Sequence, residues 1–551
     1  MSSSLKVENK PAQKGQKYEL LILSLVSALL FWLGWPVKPF PFLLFFAIAP
    51  VFAMDEYITQ GRFKHPGRTF YGYLYLTTFL WNITTTWWVY NSTLVGAIFM
   101  LIANAALMTI PFVLFRITKK SAGANWGYFG FVLYWITFEY IHLNWDISWP
   151  WLTLGNGFAS FPKWIQWYEF TGVFGGTLWI LLANLAFYLV FLRDRAIQRK
   201  QFRWRSFMLT CIWVLLPVIY SYIRYYNYEM RGEDTEVVVL QPNIDPFTEK
   251  FIGAENFIPF EQQLERFIEL SEQQITPETR FLIWPETAFD GSYNEEIINT
   301  YDIIERIKRF KARYPDLALV TGMTTYILYD DPAEVTPTAR YSEQAGYYDV
   351  FNTAFYLDED NEITFYHKSK LVPGVEIMPY PKVFGFISEL LFSLGGTSGG
   401  FGRQDERTVL VNKQGVGAAP SICYESIYGD HMAEFIRNGA KSIFIITNDG
   451  WWGDTPGHEQ HLAYARLRAI ELRRSIARSA NTGISAFLNQ RGDVLQATEY
   501  WKQDVIRGTI RPSEQLTFYA RYGDYIARTA AWLSVFVFLA AIVKRQLPQK
   551  A

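Results

Sequence analysis

Three residue types that can do covalent chemistry together, Glu286, Lys368 and Cys423, each stand where an apolar run stops. Cys423 closes the small-residue and apolar stretch that begins at Gly415, and Tyr424 and Glu425 follow it at once. Glu286 closes Arg280-Phe-Leu-Ile-Trp-Pro-Glu, and Lys368 comes just after the run 363–365. Such runs read as buried strands, and strand ends are where a fold exposes side chains on a rigid support. The chemistry they suit is nucleophilic. A thiol needs a base to become a thiolate, and a carboxylate at a neighbouring strand end supplies one. A lysine beside the pair lowers the thiol pKa and stabilises an oxyanion. Singly, each has a plainer reading: a lone cysteine packs, a glutamate after proline opens a helix, and a lysine lies on the surface. In chain order, each at a strand end, they form a set.

The elements that must hold this set lie in a block from 226 to 520, which reads as α/β. Strands are expected at 235–241, 280–284, 317–322, 350–357, 417–422, 442–447 and 484–488, with helical patterns at 259–274, 294–314 and 458–474. At nearly 300 residues the block is large enough for its own core. There is no internal repeat. Cys423 has little prospect of a disulfide, because the other cysteine, Cys211, lies in a long apolar segment.

The rest of the chain is different. Of its 551 residues 50% are hydrophobic and only 19% charged, against about a quarter charged in a soluble domain. The net charge of −1 leaves no basic field for nucleic acid. Apolar segments at 18–36, 39–55, 70–90, 93–115, 124–143, 170–192, 207–225 and 526–543 approach or reach the ~20 residues a spanning helix needs. We read them as eight spans, the first an anchor rather than a signal peptide. Basic residues gather in the tail 1–17, at Arg62/Lys64/Arg68, at Arg116/Lys119/Lys120, between Arg193 and Arg205, and at Lys544/Arg545. These are alternate connections, and the positive-inside rule makes that side cytoplasmic. The expected organisation is a cytoplasmic tail over 1–17, seven spans over 18–225, an extracytoplasmic domain over 226–520, and an eighth span with a cytoplasmic end over 521–551.

Other residues invite a role. Glu139 lies inside a span and Asp146 and Glu169 near span edges; each is a functional suspect or a helix-packing hydrogen bond. The connection 144–170, with Trp145, Trp149, Trp151, Trp164 and Trp167, has the composition of an interfacial belt. His458 and His461 are three residues apart rather than the four of a zincin motif, so no metal site is expected. The glycine-rich stretch 395–402 lacks the Lys-Ser/Thr of a phosphate loop and reads as a lid. The apolar segment 383–394 before it reads as an arm dipping into the outer leaflet or as a core helix. Arg466, Arg468, Arg473 and Arg474 read as a solvated or ion-paired helix, with Arg466 or Arg468 able to meet a phosphate.

The segments Trp284-Pro-Glu-Thr-Ala, Tyr366-His-Lys-Ser-Lys-Leu-Val-Pro, Ile422-Cys-Tyr-Glu and Asn448-Asp-Gly-Trp-Trp-Gly resemble the nitrilase, or carbon–nitrogen hydrolase, superfamily. With seven spans before the block and one after it, nearly the whole chain resembles the apolipoprotein N-acyltransferase family. The resemblance implies an α-β-β-α sandwich with Glu286 as general base, Lys368 as oxyanion lysine and Cys423 as nucleophile. It also implies that Glu376 is a further essential glutamate, that Tyr424 and Glu425 belong to the Cys-Tyr-Glu motif, and that Trp451 and Glu471 matter. The family's Pro-Phe-Gly-Glu is here Pro373-Gly-Val-Glu376, and its tryptophan near residue 251 is Phe251.

The implied reaction is ping-pong transfer of an acyl chain from a phospholipid, through a Cys423 thioester, to the α-amine of a diacylglyceryl-cysteine lipoprotein. It needs no cofactor and no metal, and is expected of a monomer in the bacterial inner membrane with its catalytic domain on the periplasmic face. Two alternatives use the same residues. One is a membrane-tethered amidase or nitrilase that releases ammonia, for which one span would suffice. The other is a transporter or scaffold with a dead hydrolase domain, against which the intact Glu286, Lys368 and Cys423 argue.

Overall fold

The computed structural model describes residues 14–61, 63–193, 204–380, 382 and 400–546. The apolar segment 383–394, the stretch 395–399, the tail 1–13 and much of the basic connection 194–203 lie outside the described residues.

Helices occupy the places of the apolar segments. They are α1 (Lys14–Gly34), α2 (Ala49–Gln60), α3 (Pro66–Thr86), α4 (Leu94–Leu107), α5 (Ile110–Ala122), α6 (Ala124–Leu143), α7 (Tyr168–Phe187) and α8 (Trp204–Asn227), with a C-terminal helix Tyr525–Gln546. Helix α1 starts inside the polar tail, four residues before the apolar run. Among the described residues, six helical stretches are long and apolar enough to cross a membrane: 15–34, 41–60, 94–122, 168–192, 204–227 and 525–546. The stretch 94–122 is broken into α4 and α5 at Met108–Thr109, where Pro111 starts a new first turn without an amide donor.

The block after α8 is a sandwich of two sheets between helices. The first sheet runs β14-β1-β2-β4-β6-β5, with β3 on β4 and β7 on β6. Its strands are β1 (Thr235–Gln241), β2 (Thr279–Ile283), β3 (Phe289–Asn294), β4 (Ala318–Tyr329), β5 (Arg340–Ser342), β6 (Gly346–Leu357), β7 (Ile363–His367) and β14 (Asp504–Ile510). The second runs β13-β12-β11-β10-β9-β8, with β8 (Leu410–Val411), β9 (Gly417–Ile422), β10 (Ser442–Thr447), β11 (Ile476–Ala480), β12 (Ala486–Leu488) and β13 (Val494–Ala497). Alternation along β1 explains the layering. Val237 and Val239 face the second sheet, while Val238 and Leu240 face Leu264, Phe267, Ile304 and Ile307 of the outer helices Phe260–Glu272 and Asp302–Lys311. Phe281 meets Phe444 edge to face across the inter-sheet layer, with centroids 5.0 Å apart.

The two halves share a core. Tyr424, Ile427 and Tyr428 beside the nucleophile, and Tyr464, Leu467 and Ile470 of the helix Pro456–Leu472, pack into the same apolar cluster as Trp35, Trp88, Trp151 and Phe174 of the helical half. Polar contacts pin that seam. Trp35 Nε1 donates to the Tyr464 hydroxyl at 3.2 Å, and Trp151 Nε1 donates to Gln460 Oε1 at 2.7 Å. Trp151 is therefore buried between the halves rather than lying in an exterior belt. An aromatic-rich connection has the composition of either, and the facing domain supplies the partner that its N–H needs.

Candidate active site

Cys423, Glu286 and Asn448 follow β9, β2 and β10, strands of the parallel runs β9-β10-β11 and β1-β2-β4. Parallel strands deliver their C-terminal ends to one edge, where open α/β sheets place ligands. Lys368 follows β7 on the first sheet. Two of these ends are sharp: Cys423 (φ 50) and Thr287, next to Glu286 (φ 45), both adopt the left-handed region. Such conformations cost on the order of 1 kcal/mol or more in non-glycine residues and are tolerated where the surroundings fix them.

Lys368 sits between two carboxylates. Its Nζ donates to Glu376 Oε1 at 2.7 Å and to Glu286 Oε1 at 3.3 Å. Asn352 Nδ2 donates to the same two oxygens, at 3.2 and 2.8 Å. The second oxygens are held by backbone, Glu286 Oε2 by the Asn448 N–H at 3.1 Å and Glu376 Oε2 by the Val372 N–H at 2.8 Å. Burial works against a charged Lys368, but Glu376, Glu286 and the neighbouring Cys423 more than offset it and hold the ammonium well above its ordinary pKa. Burial, and then the charge of Glu286, push the Cys423 thiol far up, against the smaller opposing pull of Lys368. The resting site thus holds a thiol, a carboxylate and a fixed cation, so thiolate forms only as a proton leaves.

The structure brings Glu286, Lys368, Glu376, Cys423, Tyr424 and Trp451 to the wall of one cavity of about 610 Å³. The Pro373-Gly-Val-Glu376 departure is accommodated by Gly374, which turns the chain at φ 78 and leaves Glu376 against Lys368. Phe251 lies behind the wall, stacked on Trp451 with centroids 5.7 Å apart and planes at 17°. Tyr424 donates its hydroxyl to the Ser148 carbonyl of the helical half at 3.0 Å.

Glu425 and Glu471 are elsewhere. Glu425 is fully buried behind the cysteine turn and accepts from the Tyr366 hydroxyl and from the Ser369, Lys370 and Ile422 amides at 2.7 to 3.2 Å. Burial alone would raise this carboxyl; His431, the Ile422 amide and Tyr366 overcome it and hold the pKa at about 2. Glu471 is buried away from the cavity, paired with Arg468 at 2.7 Å. Burial raises its pKa to about 7, with Asp524 adding to the rise.

The remaining candidates are structural. Glu139 accepts from Trp135 Nε1, the Leu154 N–H and Thr177 Oγ1 at 2.7 to 2.8 Å, fastening the 150–158 turns to α6 and α7. Glu169 pairs with Arg224 of α8 and with Arg473 of the α/β block, at 2.6 and 2.8 Å. Of the four arginines, Arg468 and Arg473 are buried and ion-paired, Arg474 is buried and Arg466 is half-buried. Arg466 donates to the Ser160 carbonyl, Arg468 to that of Ile427, and Arg474 to those of Ala440 and Gln515, so none is turned to the cavity. His458 stacks on Tyr500, whereas His461 pairs with Asp449 at 3.0 Å. Cys423, Asp449 and His461 place one donor atom each within 4.8 Å of one another. Two of the three residues are already engaged: Arg478 pairs with Asp449, and His461 Nε2 meets the Cys423 backbone carbonyl and Ser426.

Two residues at the site carry no motif. Asn352 is the bridge just described. Lys250, buried at 2% exposure, donates Nζ to the backbone carbonyl of Glu286 at 3.2 Å. Burial lowers its pKa to about 8 despite Glu286 and Asp290 nearby.

Residues 27–186 match the apolipoprotein N-acyltransferase N-terminal domain, and residues 237–516 match the carbon–nitrogen hydrolase family. A protein of Chlorobaculum tepidum named apolipoprotein N-acyltransferase is 29% identical over 95% of this chain and 97% of its own length. One of Geobacter metallireducens with the same name is 26% identical over 92% of each chain. The Saccharomyces cerevisiae nitrilase-superfamily protein Nit3 aligns with 54% of this chain and 95% of its own, at 14% identity and a TM-score of 0.36.

Proposed function

Because this chain belongs to the carbon–nitrogen hydrolase family, we propose that its Glu286–Lys368–Cys423 site transfers an acyl chain from a phospholipid to the N-terminal α-amine of diacylglyceryl-cysteine in a bacterial lipoprotein. The observation that carries this reading is the cavity. Its wall includes Cys423, Glu286 and Lys368 together with the apolar Phe99, Met100, Ala103 and Leu107 of α4, so one space serves both a thiol and an alkyl chain.

The reaction runs in two halves. Glu286 takes the Cys423 proton as sulfur attacks the ester carbonyl, and the oxyanion is met by Lys368 and by amides at the start of the turn Cys423–Ile427, which have no partner inside that turn. The ester C–O bond breaks, Glu286 returns the proton to the glycerol oxygen, and lysophospholipid leaves a thioester behind. The lipoprotein amine then attacks the thioester and loses a proton to Glu286, which passes that proton to sulfur as the C–S bond breaks and so restores the Cys423 thiol. Lys368 stays paired with Glu376 at 2.7 Å while Glu286 carries the proton, and so keeps its charge.

Eight crossings, with the α/β block on the periplasmic face of the inner membrane, complete the proposal. Basic residues in alternate connections support it. Action as a monomer is part of the proposal. The test is an intact-mass measurement. Protein incubated with phospholipid gains one acyl chain on Cys423, and a diacylglyceryl-cysteine peptide then removes it and acquires an amide-linked chain. Absence of any adduct, with ammonia released from simple amides, would establish the amidase instead.

A further inference from the structure

Where the cavity meets the helical half, its wall turns from apolar to polar. Asn104 of α4, His142 of α6 and Trp149 of the following connection line the cavity, and the same three line an adjoining hollow of about 10 Å³. That is about the space of one water-sized group. Asn104 and His142 are 4% and 6% exposed, and Asn104 Oδ1, His142 Nε2 and Trp149 Nε1 are all buried with no hydrogen-bond partner. Three buried orphans around one hollow are a cluster that demands an explanation.

Their other contacts decide what each orphan can do. Asn82 Nδ2 donates to the Thr78 carbonyl at 2.8 Å, so Asn82 Oδ1 is the atom that accepts Asn104 Nδ2 at 2.7 Å. Asn104 is therefore left with its oxygen, an acceptor, unpaired. Trp145 Nε1 can only donate, and it meets His142 Nδ1 at 2.9 Å. His142 Nδ1 thus carries a lone pair and Nε2 carries the proton, which makes Nε2 a donor. Trp149 Nε1 is a donor by nature, and its ring is fixed by stacking on Trp151 at 5.8 Å. Glu139 also borders the hollow, but both its oxygens are occupied.

The residues that line this space for a single heavy atom thus carry one unpaired acceptor and two unpaired donors. An ester carbonyl only accepts and would leave Asn104 unpaired; an ammonium only donates and would meet two N–H groups. A hydroxyl does both. Asn104 lies ten residues beyond Leu94, roughly 15 Å along α4, on the wall that carries Phe99, Met100 and Ala103. We propose that Asn104, His142 and Trp149 form a subsite for a hydroxyl group borne on the acyl chain of the donor phospholipid, so that hydroxyacyl donors are preferred over plain ones. This rests on the acyl-transfer reading above.

The test is a competition on the full-length protein. Equimolar phospholipids bearing a saturated chain, with or without one hydroxyl, are supplied in a series that walks the hydroxyl along the chain, and the Cys423 adducts are resolved by mass. At one position of the series the hydroxylated adduct should exceed the plain one by about five- to tenfold, the effect of one or two net hydrogen bonds. Asn104→Leu, His142→Phe and, most conservatively, Trp149→Phe should each bring that ratio towards one. The ratio is internal to each preparation, so a variant that folds poorly still reports. Equal adducts at every position, unchanged by the substitutions, would overturn the proposal and assign the hollow to a buried water only. No adduct from any phospholipid would instead remove the acyl-transfer reading itself.

Discussion

Glu425 Oε1 accepts the Ser369 amide at 2.7 Å, and through that contact the turn after the nucleophile holds the turn after the lysine. Cys423 leaves the second sheet and Lys368 leaves the first, so their separation depends on something that crosses between sheets. The buried carboxylate does so with both oxygens, since Oε2 takes the Ile422 amide at 2.9 Å on the cysteine side. A residue that never meets substrate thus sets the distance between two that do.

Glu425→Gln keeps the shape but turns donors towards amide donors. Misplacement of this kind costs about a hundredfold in rate, read as the rate of Cys423 acylation. Because the folded pKa is held at about 2, below the unfolded value, the stabilisation is complete above the ordinary carboxylate range and is lost as pH falls towards 2. Wild type should accordingly lose more stability than the variant on acidification below pH 4.5 in urea titrations; parallel acid profiles would refute this role.

Glu286→Gln should abolish turnover yet make Cys423 easier to ionise, since the Glu286 charge holds the thiol up while Lys368 pulls it down. Iodoacetamide labelling of Cys423 at pH 8, located by peptide mass, should be at least several-fold faster in the variant. Slower labelling would mean that Glu286 already draws the proton off at rest.

Lys250→Met removes the donor that holds the Glu286 carbonyl beside the left-handed Thr287. Acylation should fall by about tenfold or more through loss of positioning, with partial rescue in Lys250→Arg. The buried lysine has its folded pKa near 8, below the unfolded value, so the unfolded chain binds the extra proton. Stability relative to Lys250→Met should therefore rise between pH 8 and 10.5. A flat difference would show that Lys250 titrates normally.

Asp449→Asn leaves Arg478 buried without its counter-charge, because both side chains are fully enclosed. A broken buried pair costs about 3–5 kcal/mol, visible as a large drop in thermal midpoint. Asp449→Asn combined with Arg478→Met should recover part of it. Equal midpoints for wild type and Asp449→Asn would mean that the pair adds nothing.

A reporter active only outside the cytoplasm should work when fused after residue 250 and fail after residue 200. The opposite result would reverse the orientation and remove the periplasmic site.

Strands β1, β9 and β10 follow the boundaries expected from their apolar runs, because a strand buried on both faces is written as an uninterrupted apolar segment. The Glu286, Lys368 and Cys423 positions were legible for a related reason: polar residues that follow such a run must emerge at a strand end. Helix 294–314 was legible only in part. Its first residues are strand β3 and a turn, and the helix itself starts at Asp302, since the pairing of β3 with β4 outweighs local helical preference. Strand β11, Ile476-Ala-Arg-Ser-Ala, was not legible at all. A central strand carrying arginine looks exposed until Asp449, 29 residues earlier, is seen to neutralise Arg478 inside the core. Lys250 and Asn352 were invisible for the same reason, for nothing local marks a residue whose partners lie 36 and 66 positions away. Periodicity and residue type act along the chain and so decide which segments are strands, which are apolar helices, and where reactive groups emerge. Which groups face one another is decided by contacts across sheets and between the two halves, and only the folded chain brings those into being.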